Sequence, residues 1–528
     1  MAKIRYTCAC SLAGVAAIML GATALSSPAL AQTVSAPKVS LNVQPQPNNI
    51  INKQQATDPG VRGGAAGAGQ PLPGLTADQL ATFNAAKEVF NEVDDVAAGL
   101  GPGYNLDGCG GCHSQPATGG VSPQVNPQVA VAARDHEKLP KFLDPKVLGH
   151  NTSASEVRLK KNPDGSPDGG VHQIFTIAHR PDSGGCQQQQ EDLDAQFAKG
   201  NVTLRIPSPT FGMGMVQSVR RVDYEANQAA HAQQKHALGI GGVFNHSGND
   251  GTLTYFGHKA QNKSALVFAG EAYNVEQGVT NHAFPSERTQ DPTCILNPVP
   301  ESTQPATPVT PSTGSPTVDA AEDITIFALF MEMLDGPQPT AEAAAAIAGT
   351  ASVTAANAPV AAVATATPAA TTMVASATPS VVAAAAGTNS TTSQATKGDT
   401  SVTHGYQVFV NIGCSLCHTP SLTVGPSQIG GLTGTVFHPF SDFEIHHMGT
   451  GLNDGVSQGE AGPDQFRSAP LWGVGQRFYL LHDGRTTNLV NAIKAHASNG
   501  SEANQVIQNY LKLSTSDAQA LLNFVRAL

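Results

Sequence analysis

The sequence predicts a mainly α-helical protein with much loop, in which two small domains are each built around a Cys-x-x-Cys-His motif. Three observations support this fold class. Apolar residues recur at helical spacing near the ends of the chain, as Phe83 and Phe90 illustrate. The motif occurs twice, at residues 109–113 and 414–418. Between the two copies, residues 343–396 contain no charged and no aromatic residue, a composition typical of a linker. An Ala-rich helix is the alternative for residues 343–347 only.

Local signals place several helices. Thr76-Ala-Asp-Gln79 is a capping box and predicts a helix that runs to about Ala98. Residues 324–334 are strongly apolar and predict a buried helix. Residues 487–497 predict another helix, and Ser514-x-x-Asp517 predicts the start of the last one. The stretches between these segments are rich in turn-forming residues.

The N-terminus has the pattern of an export signal. Lys3 and Arg5 precede an apolar run, and Pro28-Ala-Leu-Ala31 has the small residues of a cleavage site. We therefore expect an exported protein, periplasmic in a Gram-negative host, with no membrane span once the signal is removed. A retained N-terminal anchor is the alternative. The formal net charge of −11 argues against nucleic acid as a partner.

Cysteine usage is consistent with an oxidising compartment. Of the eight cysteines, Cys8 and Cys10 lie in the predicted signal and four lie in the two motifs. The remaining pair, Cys186 and Cys294, is expected to form a disulfide. Two separate buried thiols are the alternative.

The two Cys-x-x-Cys-His motifs predict haem attachment. Two thiols at this spacing add to the two vinyl groups of a porphyrin, and the histidine that follows becomes an axial ligand of the iron. A redox dithiol or half of a zinc site is the competing interpretation, but both motifs end in histidine and no further Cys-x-x-Cys pair exists. We expect two covalently bound haem c groups, held by Cys109, Cys112 and His113 and by Cys414, Cys417 and His418.

These signals give a predicted domain organisation with two cytochrome-c-like haem domains. Its parts are a signal peptide (1–31), a flexible N-terminal segment (32–74), a first haem c domain (75–340), an Ala/Thr/Pro-rich linker (341–399) and a second haem domain (400–528).

The sixth ligand of each iron is harder to predict. His496 shares the buried face of its predicted helix with Leu489 and Ile493, so we expect it to bind the second haem. Met448 is the alternative ligand, and a core histidine held by hydrogen bonds is the other interpretation of His496. For the first haem an open sixth position is one alternative to a histidine ligand. The candidate histidines are His136, His150, His172, His179, His231, His236 and His258.

Several longer runs carry a resemblance to a known family. They are Arg467-Ser-Ala-Pro-Leu-Trp-Gly-Val-Gly475, Leu481-His-Asp-Gly-Arg485, Phe440-Ser-Asp-Phe-Glu-Ile-His446, Arg205-Ile-Pro-Ser-Pro-Thr-Phe-Gly-Met-Gly214 and Phe256-Gly-His-Lys-Ala-Gln261. Over residues 75–340 and 400–528 the chain resembles the di-haem oxidoreductases named as peroxidases or thiol oxidoreductases. That family is similar to the bacterial di-haem cytochrome c peroxidases.

The resemblance implies a function and further site residues. In the related peroxidases a His-x-Gly turn precedes the sixth ligand of the C-terminal haem by fourteen positions, and the same count from His482 reaches His496. It also implies one reactive haem, near which we place Arg205, Pro207, His258 and Glu271. Where the family tends to carry Gln or Glu this chain has Phe268, with Glu271 one turn later.

Two functions follow from these expectations. The first is a peroxidase-like oxidoreductase with one reactive haem and one electron-relay haem. Its partners would be a small oxidant such as peroxide and a small redox protein, either a cytochrome c or a cupredoxin. The alternative is a non-catalytic electron-transfer cytochrome in which both haems are six-coordinate.

Overall fold

Short helices joined by long loops make up most of the computed structural model, which describes residues 56–162, 164–167, 169–289, 291–296, 322–355 and 400–528. The predicted signal peptide and residues 356–399 of the predicted linker lie outside these ranges, as does the first part of the predicted N-terminal segment. Within the described residues no helix is long and apolar enough to cross a membrane.

Helices and short strands follow one another irregularly along the chain. The helices are α1 (Ala77–Phe90), α2 (Cys109–Cys112), α3 (Gln128–Arg134), α4 (Pro145–Leu148), α5 (Leu193–Ala198), α6 (Met213–Gln217), α7 (Arg221–Ala229), α8 (Ala232–Leu238), α9 (Ala265–Gln277), α10 (Asp323–Met333), α11 (Ala341–Ala355), α12 (Val402–Ile412), α13 (Leu489–Ala495), α14 (Asn504–Leu511) and α15 (Thr515–Ala527). The strands are β1 (Gly103–Tyr104), β2 (Glu156–Leu159), β3 (Val171–His172), β4 (Phe175–Thr176), β5 (Val202–Arg205), β6 (Asn245–His246), β7 (Leu253–Thr254), β8 (Leu422–Thr423), β9 (Val436–Phe437), β10 (Ile445–His447) and β11 (Gln465–Arg467).

The α10 helix is the centre of the first hydrophobic core. It is apolar on nearly all sides, and a helix of that kind is stable only when other elements surround it. Phe330 of α10 packs against Phe83 and Phe90 of α1, with ring centroids 5.4 and 4.8 Å apart. Both halves of the Thr76 capping box form as predicted. The helix ends at Phe90, earlier than predicted, because the Asp95 side chain caps a separate turn.

The second core lies between α12 and α15. Phe409 of α12 and Phe524 of α15 pack against Phe440, with ring centroids 5.9 and 5.8 Å from it. The Ser514 side chain caps α15 as the sequence predicts.

The first part of the predicted 341–399 linker is helical rather than irregular. The helix α11 buries Ala343, Ala346 and Ile347 in the second core. The small side chains of this Ala-rich segment allow it to pack closely on α12, so the domain begins before residue 400. Its composition resembles that of a linker because it contains no large apolar residue besides isolated Ile and Val.

The hydrophobic cores of the two haem regions are partly shared. Phe437, Phe443 and Trp472, which follow the linker, belong to the same buried cluster as α1, α9 and α10. The buried side chains of the second core, by contrast, all come from residue 343 onward. All of the described residues fall in one compact unit, and the division into two domains stays a prediction.

The end of the predicted flexible segment, residues 56–74, is ordered against the C-terminal part of the chain. Asp58 forms a buried ion pair with Arg526 of α15, with 2.7 Å between Oδ2 and Nη2. The Arg62 amide donates to the carbonyl oxygen of Gly475, and the Leu72 amide donates to that of Met333. The sequence does not predict that residues 56–74 are ordered, because single polar contacts hold them in place and such contacts leave no periodic pattern.

One small sheet and one disulfide organise the loop-rich part of the first region. The β2 strand pairs antiparallel with β3 and β5, in a register that sets Glu156 opposite Arg205. The expected disulfide between Cys186 and Cys294 is present.

A buried ion cluster joins the two haem regions. The Asp454 carboxylate accepts hydrogen bonds from Nε and Nη2 of Arg205, at 3.1 and 2.5 Å. Its other oxygen lies 3.1 Å from the Lys259 ammonium. None of these side chains is more than 1% exposed. Lys259 also donates to the carbonyl oxygens of Gly462, Pro463 and Gln465. We call Arg205, Lys259 and Asp454 the central ion cluster.

Replacing Asp454 with asparagine should destabilise the protein strongly, because two buried cations would lose their carboxylate. We expect the free energy of unfolding, measured by urea denaturation, to fall by about 3–5 kcal/mol. Asp223→Asn is the control, since Asp223 and Arg220 form an exposed pair, and it should leave the urea midpoint unchanged. Equal midpoints for Asp454→Asn and the wild type would contradict the role given to the central ion cluster.

Candidate haem sites

The first motif is the short helix α2, which follows directly from the loop after α1. The Phe90 ring packs edge-on against the His113 ring at 6.1 Å. The Nδ1–H of His113 donates to the carbonyl oxygen of Gly120 at 2.9 Å. Since a carbonyl only accepts, this bond fixes the tautomer and leaves the Nε2 lone pair for a metal.

The second motif has the same arrangement. Residues Cys414–Leu416 form a 3-10 turn after α12. The Nδ1–H of His418 donates to the carbonyl oxygen of Phe440 at 3.0 Å, again leaving Nε2 free of a proton. Burial, together with the neighbouring His496, lowers the pKa of His418 to about 4. Both motif histidines are therefore neutral imidazoles, the form that binds iron.

A cavity of about 100 Å³ opens beside the first motif, and Cys109, Cys112 and His113 line it. We call it the first cavity. All four residues that the resemblance places near a reactive iron line it as well: Arg205, Pro207, His258 and Glu271. Phe268 also lies in the wall, so an apolar ring stands where the family tends to carry an amide or acid.

Arg205 lines the first cavity, but its charge is already neutralised by Asp454. Its guanidinium is committed to the central ion cluster, and its Nη1 donates to Gln458 Oε1 at 2.5 Å. The sequence reasoning missed Arg158, which also lines the first cavity. On β2, Glu156 and Arg158 point to the same face, and Arg158 Nε donates to Glu156 at 2.7 Å.

Carboxylates on α9 supply the acid–base groups of the first cavity. Glu271 accepts a hydrogen bond from the Asn262 side-chain amide. Glu276, which the sequence reasoning also missed, lies further along the same helix. Burial, with the nearby charge of Glu156, raises the pKa of Glu276 to about 8. The sequence signal that could have located Glu276 is the presence of two acidic residues in a largely apolar helix.

A cavity of about 270 Å³ opens beside the second motif and contains both sixth-ligand candidates. We call it the second cavity. Its walls are mainly apolar side chains of α12, α13, α14 and α15. The Nδ1–H of His496 donates to the carbonyl oxygen of Ala492 at 2.8 Å, and its Nε2 is left without a proton. His496 thus makes the same kind of carbonyl contact as the two motif histidines. Met448 lines the same cavity and is half-buried.

His446 lies beside Cys417 but is a poor metal ligand. Its Nδ1 bonds to Glu502 at 2.8 Å and its Nε2 to Asp442 at 3.1 Å. Carboxylates accept, so both nitrogens carry protons and neither lone pair is available.

The two cavities share one wall. Ile206, Pro207, Ser208 and His258 line both of them. The Nε2–H of His258 donates to the carbonyl oxygen of Ile206 at 2.9 Å. Burial, with the positive charge of Arg205, holds the pKa of His258 well below its ordinary value, so its ring is neutral.

The other candidate histidines for the first haem lie elsewhere. His172 and His179 bond to Glu191 and Glu137. Among the described histidines proposed for this iron, His258 lines the first cavity. Those that do not line it are His136, His150, His172, His179, His231 and His236.

Both sites have the chemistry that a haem requires. Each cavity brings two unbridged thiols and an imidazole with a free Nε2 to one apolar space. The second cavity also contains two buried polar atoms without a hydrogen-bond partner in the protein, Nε of Arg467 and Nε2 of His482. Such atoms are rare in folded proteins and indicate that a further group completes the site.

Comparison with known families gives a match in the C-terminal part of the chain. Residues 338–528 match the family described as di-haem oxidoreductase, putative peroxidase. The match begins just before α11 and covers the second motif and most of the residues that line the second cavity. This region is therefore similar to the di-haem oxidoreductases. No curated protein and no solved structure matches the chain.

His496→Ala should change the spectrum of a haem bound at the second motif and leave that of a haem at the first motif unchanged. Removing an axial imidazole converts a low-spin six-coordinate iron to a high-spin or water-ligated one, which optical and EPR spectra detect. Met448→Leu is the matched control and should leave both spectra unchanged. The reverse result, with Met448→Leu altering the spectrum and His496→Ala not, would assign the ligand to Met448.

Proposed function

We propose that the chain is an exported di-haem c-type cytochrome oxidoreductase with peroxidase-like activity. Its reactive haem would be attached at Cys109 and Cys112, and its electron-relay haem at Cys414 and Cys417. The haem iron supplies one-electron oxidation and reduction at each site. The side chains of the two cavities and of their shared wall would bind the substrate and transfer its protons.

This proposal rests on the difference between the side chains that line the two cavities. The first cavity contains Glu271, Glu276 and the Glu156–Arg158 pair. The second is mainly apolar and offers a second imidazole, His496, beside His418. A polar pocket with proton donors and acceptors suits bond cleavage, whereas an apolar pocket with two nitrogen ligands suits electron transfer.

The acid residues of the first cavity would handle protons. Reduction of hydrogen peroxide to two waters consumes two electrons and two protons. Glu271 can take up and return a proton, with its carboxylate oriented by Asn262. Arg158 is a buried cation at the same cavity, and because Glu156 neutralises its charge we assign it a positioning role. Arg205 acts through the central ion cluster, so we assign it a positioning role.

The shared wall would connect the two sites. Pro207 gives the wall a fixed backbone angle, and His258 spans it with its ring held by the Ile206 carbonyl. An electron that leaves the second haem would cross this thin layer to reach the first. Because peroxide needs two electrons and a small donor delivers one, a second haem in the same unit supplies the other.

The expected partners follow from the same chemistry. We propose a small oxidant such as peroxide at the first cavity and a cytochrome c or cupredoxin as the electron donor or acceptor. The acidic chain suits a basic redox partner. The N-terminal signal pattern supports a periplasmic location.

One observation favours the alternative of an electron-transfer cytochrome. His258 lines the first cavity, and its Nδ1 is unprotonated and therefore available as a second nitrogen ligand for a haem iron there. Two six-coordinate haems would then be present. Adding peroxide to the half-reduced protein distinguishes the two functions: a high-spin haem that reacts supports the enzyme, and two low-spin haems that remain unchanged support the cytochrome.

Glu271→Gln should slow the reaction of the half-reduced protein with peroxide by about 100-fold or more, because a positioned acid–base group is lost. Stopped-flow absorbance of the first haem measures this rate. Glu225→Gln is the control, since Glu225 is exposed on α7 and should leave the rate unchanged. A wild-type rate in Glu271→Gln would exclude Glu271 as the proton carrier.

A further inference from the structure

Two half-buried arginines that line the second cavity have no carboxylate partner. Arg467 ends β11 and Arg477 follows the Trp-Gly turn, and both side chains line the cavity. Among the described residues no Asp or Glu lies within ion-pair distance of either guanidinium, although eight other arginines form such pairs. Burial lowers the pKa of Arg467 and of Arg477 to about 10.

Backbone carbonyls satisfy only part of the hydrogen-bonding capacity of these side chains. Arg467 Nη1 donates to the Tyr255 carbonyl at 2.7 Å, while its Nε has no partner. Arg477 Nη2 donates to the carbonyls of Pro470 and Trp472 at 3.0 and 2.9 Å. These bonds orient the two guanidinium groups but do not neutralise them. A charge that is partly removed from water and has no counter-charge is unfavourable, so an anion in the cavity would stabilise this pair.

The cavity itself does not supply that anion. Its one lining carboxylate is Glu502, which bonds to the ring nitrogen of His446. Arg467 and Arg477 are close enough that the charge of Arg467 contributes to the lowered pKa of Arg477. The group that fills the cavity must therefore bring negative charge to two neighbouring cations. A haem carries two propionates on one edge, away from the vinyl positions that the cysteines attach.

We propose that Arg467 and Arg477 bind the two propionates of the second haem and thereby set its reduction potential. This inference rests on the proposed function, which attaches a haem at Cys414 and Cys417. Arginine suits the role because its planar guanidinium makes paired, charge-assisted hydrogen bonds to a carboxylate. The same cations lie on the side of the second cavity that faces His258, since the Arg467 amide donates to the His258 carbonyl oxygen at 3.0 Å.

The test compares Arg467→Gln and Arg477→Gln with the wild-type holoprotein. Removing a positive charge near the iron stabilises the oxidised state, so the reduction potential of the second haem should fall in both variants. Spectroelectrochemical titration resolves the two haems, and the first haem should shift less than the second. Arg467→Lys keeps the charge and should restore most of the potential. Arg485→Gln removes an arginine that pairs with Asp483 at the surface, and it should leave both potentials unchanged.

Three results would overturn the inference: unchanged potentials in both Gln variants, equal shifts of the two haems, or no recovery in Arg467→Lys. Resonance Raman spectra give a second measurement, since the propionate bending bands should change in the Gln variants. If a Gln variant does not fold, the Arg467→Lys and Arg477→Lys proteins still test these bands. Failure of the proposed function is distinguishable, because wild-type protein would then carry no haem at the second motif in a pyridine haemochrome assay.

Discussion

The central ion cluster is the interaction on which the arrangement of both sites depends. Asp454 comes from the second haem region, whereas Arg205 and Lys259 come from the first. Arg205 directly precedes Ile206, and Lys259 directly follows His258, so the cluster holds both sides of the wall between the cavities. Burying three charges is costly, and the cost is offset only when all three keep their partners. The Asp454 carboxylate therefore helps to fix the relative position of the two motifs, together with the hydrophobic cluster that the two regions share.

The wall held by this cluster gives the two chemically similar motifs different surroundings. On one side, β2 and α9 supply Glu156, Arg158 and Glu276, which are groups able to bind or move protons. On the other side, α12, α13 and α15 supply apolar side chains and His496. Both motif histidines have the same tautomer, fixed by a carbonyl. The difference between the sites therefore lies in their cavities rather than in the motifs.

Local sequence signals predicted the individual elements well where a side chain acts on its own backbone. The Thr76 capping box and the Ser514 N-cap are in place, and the apolar 324–334 segment forms α10. Long-range polar contacts were not predictable in this way. The Asp58–Arg526 pair joins residues at opposite ends of the described chain, and no periodicity marks it. The helical start of the linker was foreseen only as an alternative for residues 343–347, because small residues pack by close approach rather than by large apolar area.

At the candidate sites, too, local motifs were predictable from the sequence and long-range contacts were not. Motif spacing located the six Cys-x-x-Cys-His residues, and the resemblance located four residues that line the first cavity. Other site residues can be recognised only from their burial and from the charged groups near them in the structure. These residues are Arg158, Glu276, Arg467 and Arg477. A sequence does not show whether an arginine has a carboxylate beside it. In the structure Arg205 has one, and Arg467 has none.

We propose that the two cavities hold two unequal haems, and EPR of the fully oxidised holoprotein tests this proposal most directly. We expect one low-spin signal typical of two imidazole ligands, from the second haem, and one high-spin signal from the first. The high-spin signal should change on addition of peroxide to the half-reduced protein. Two low-spin signals with no response to peroxide would contradict this division of roles.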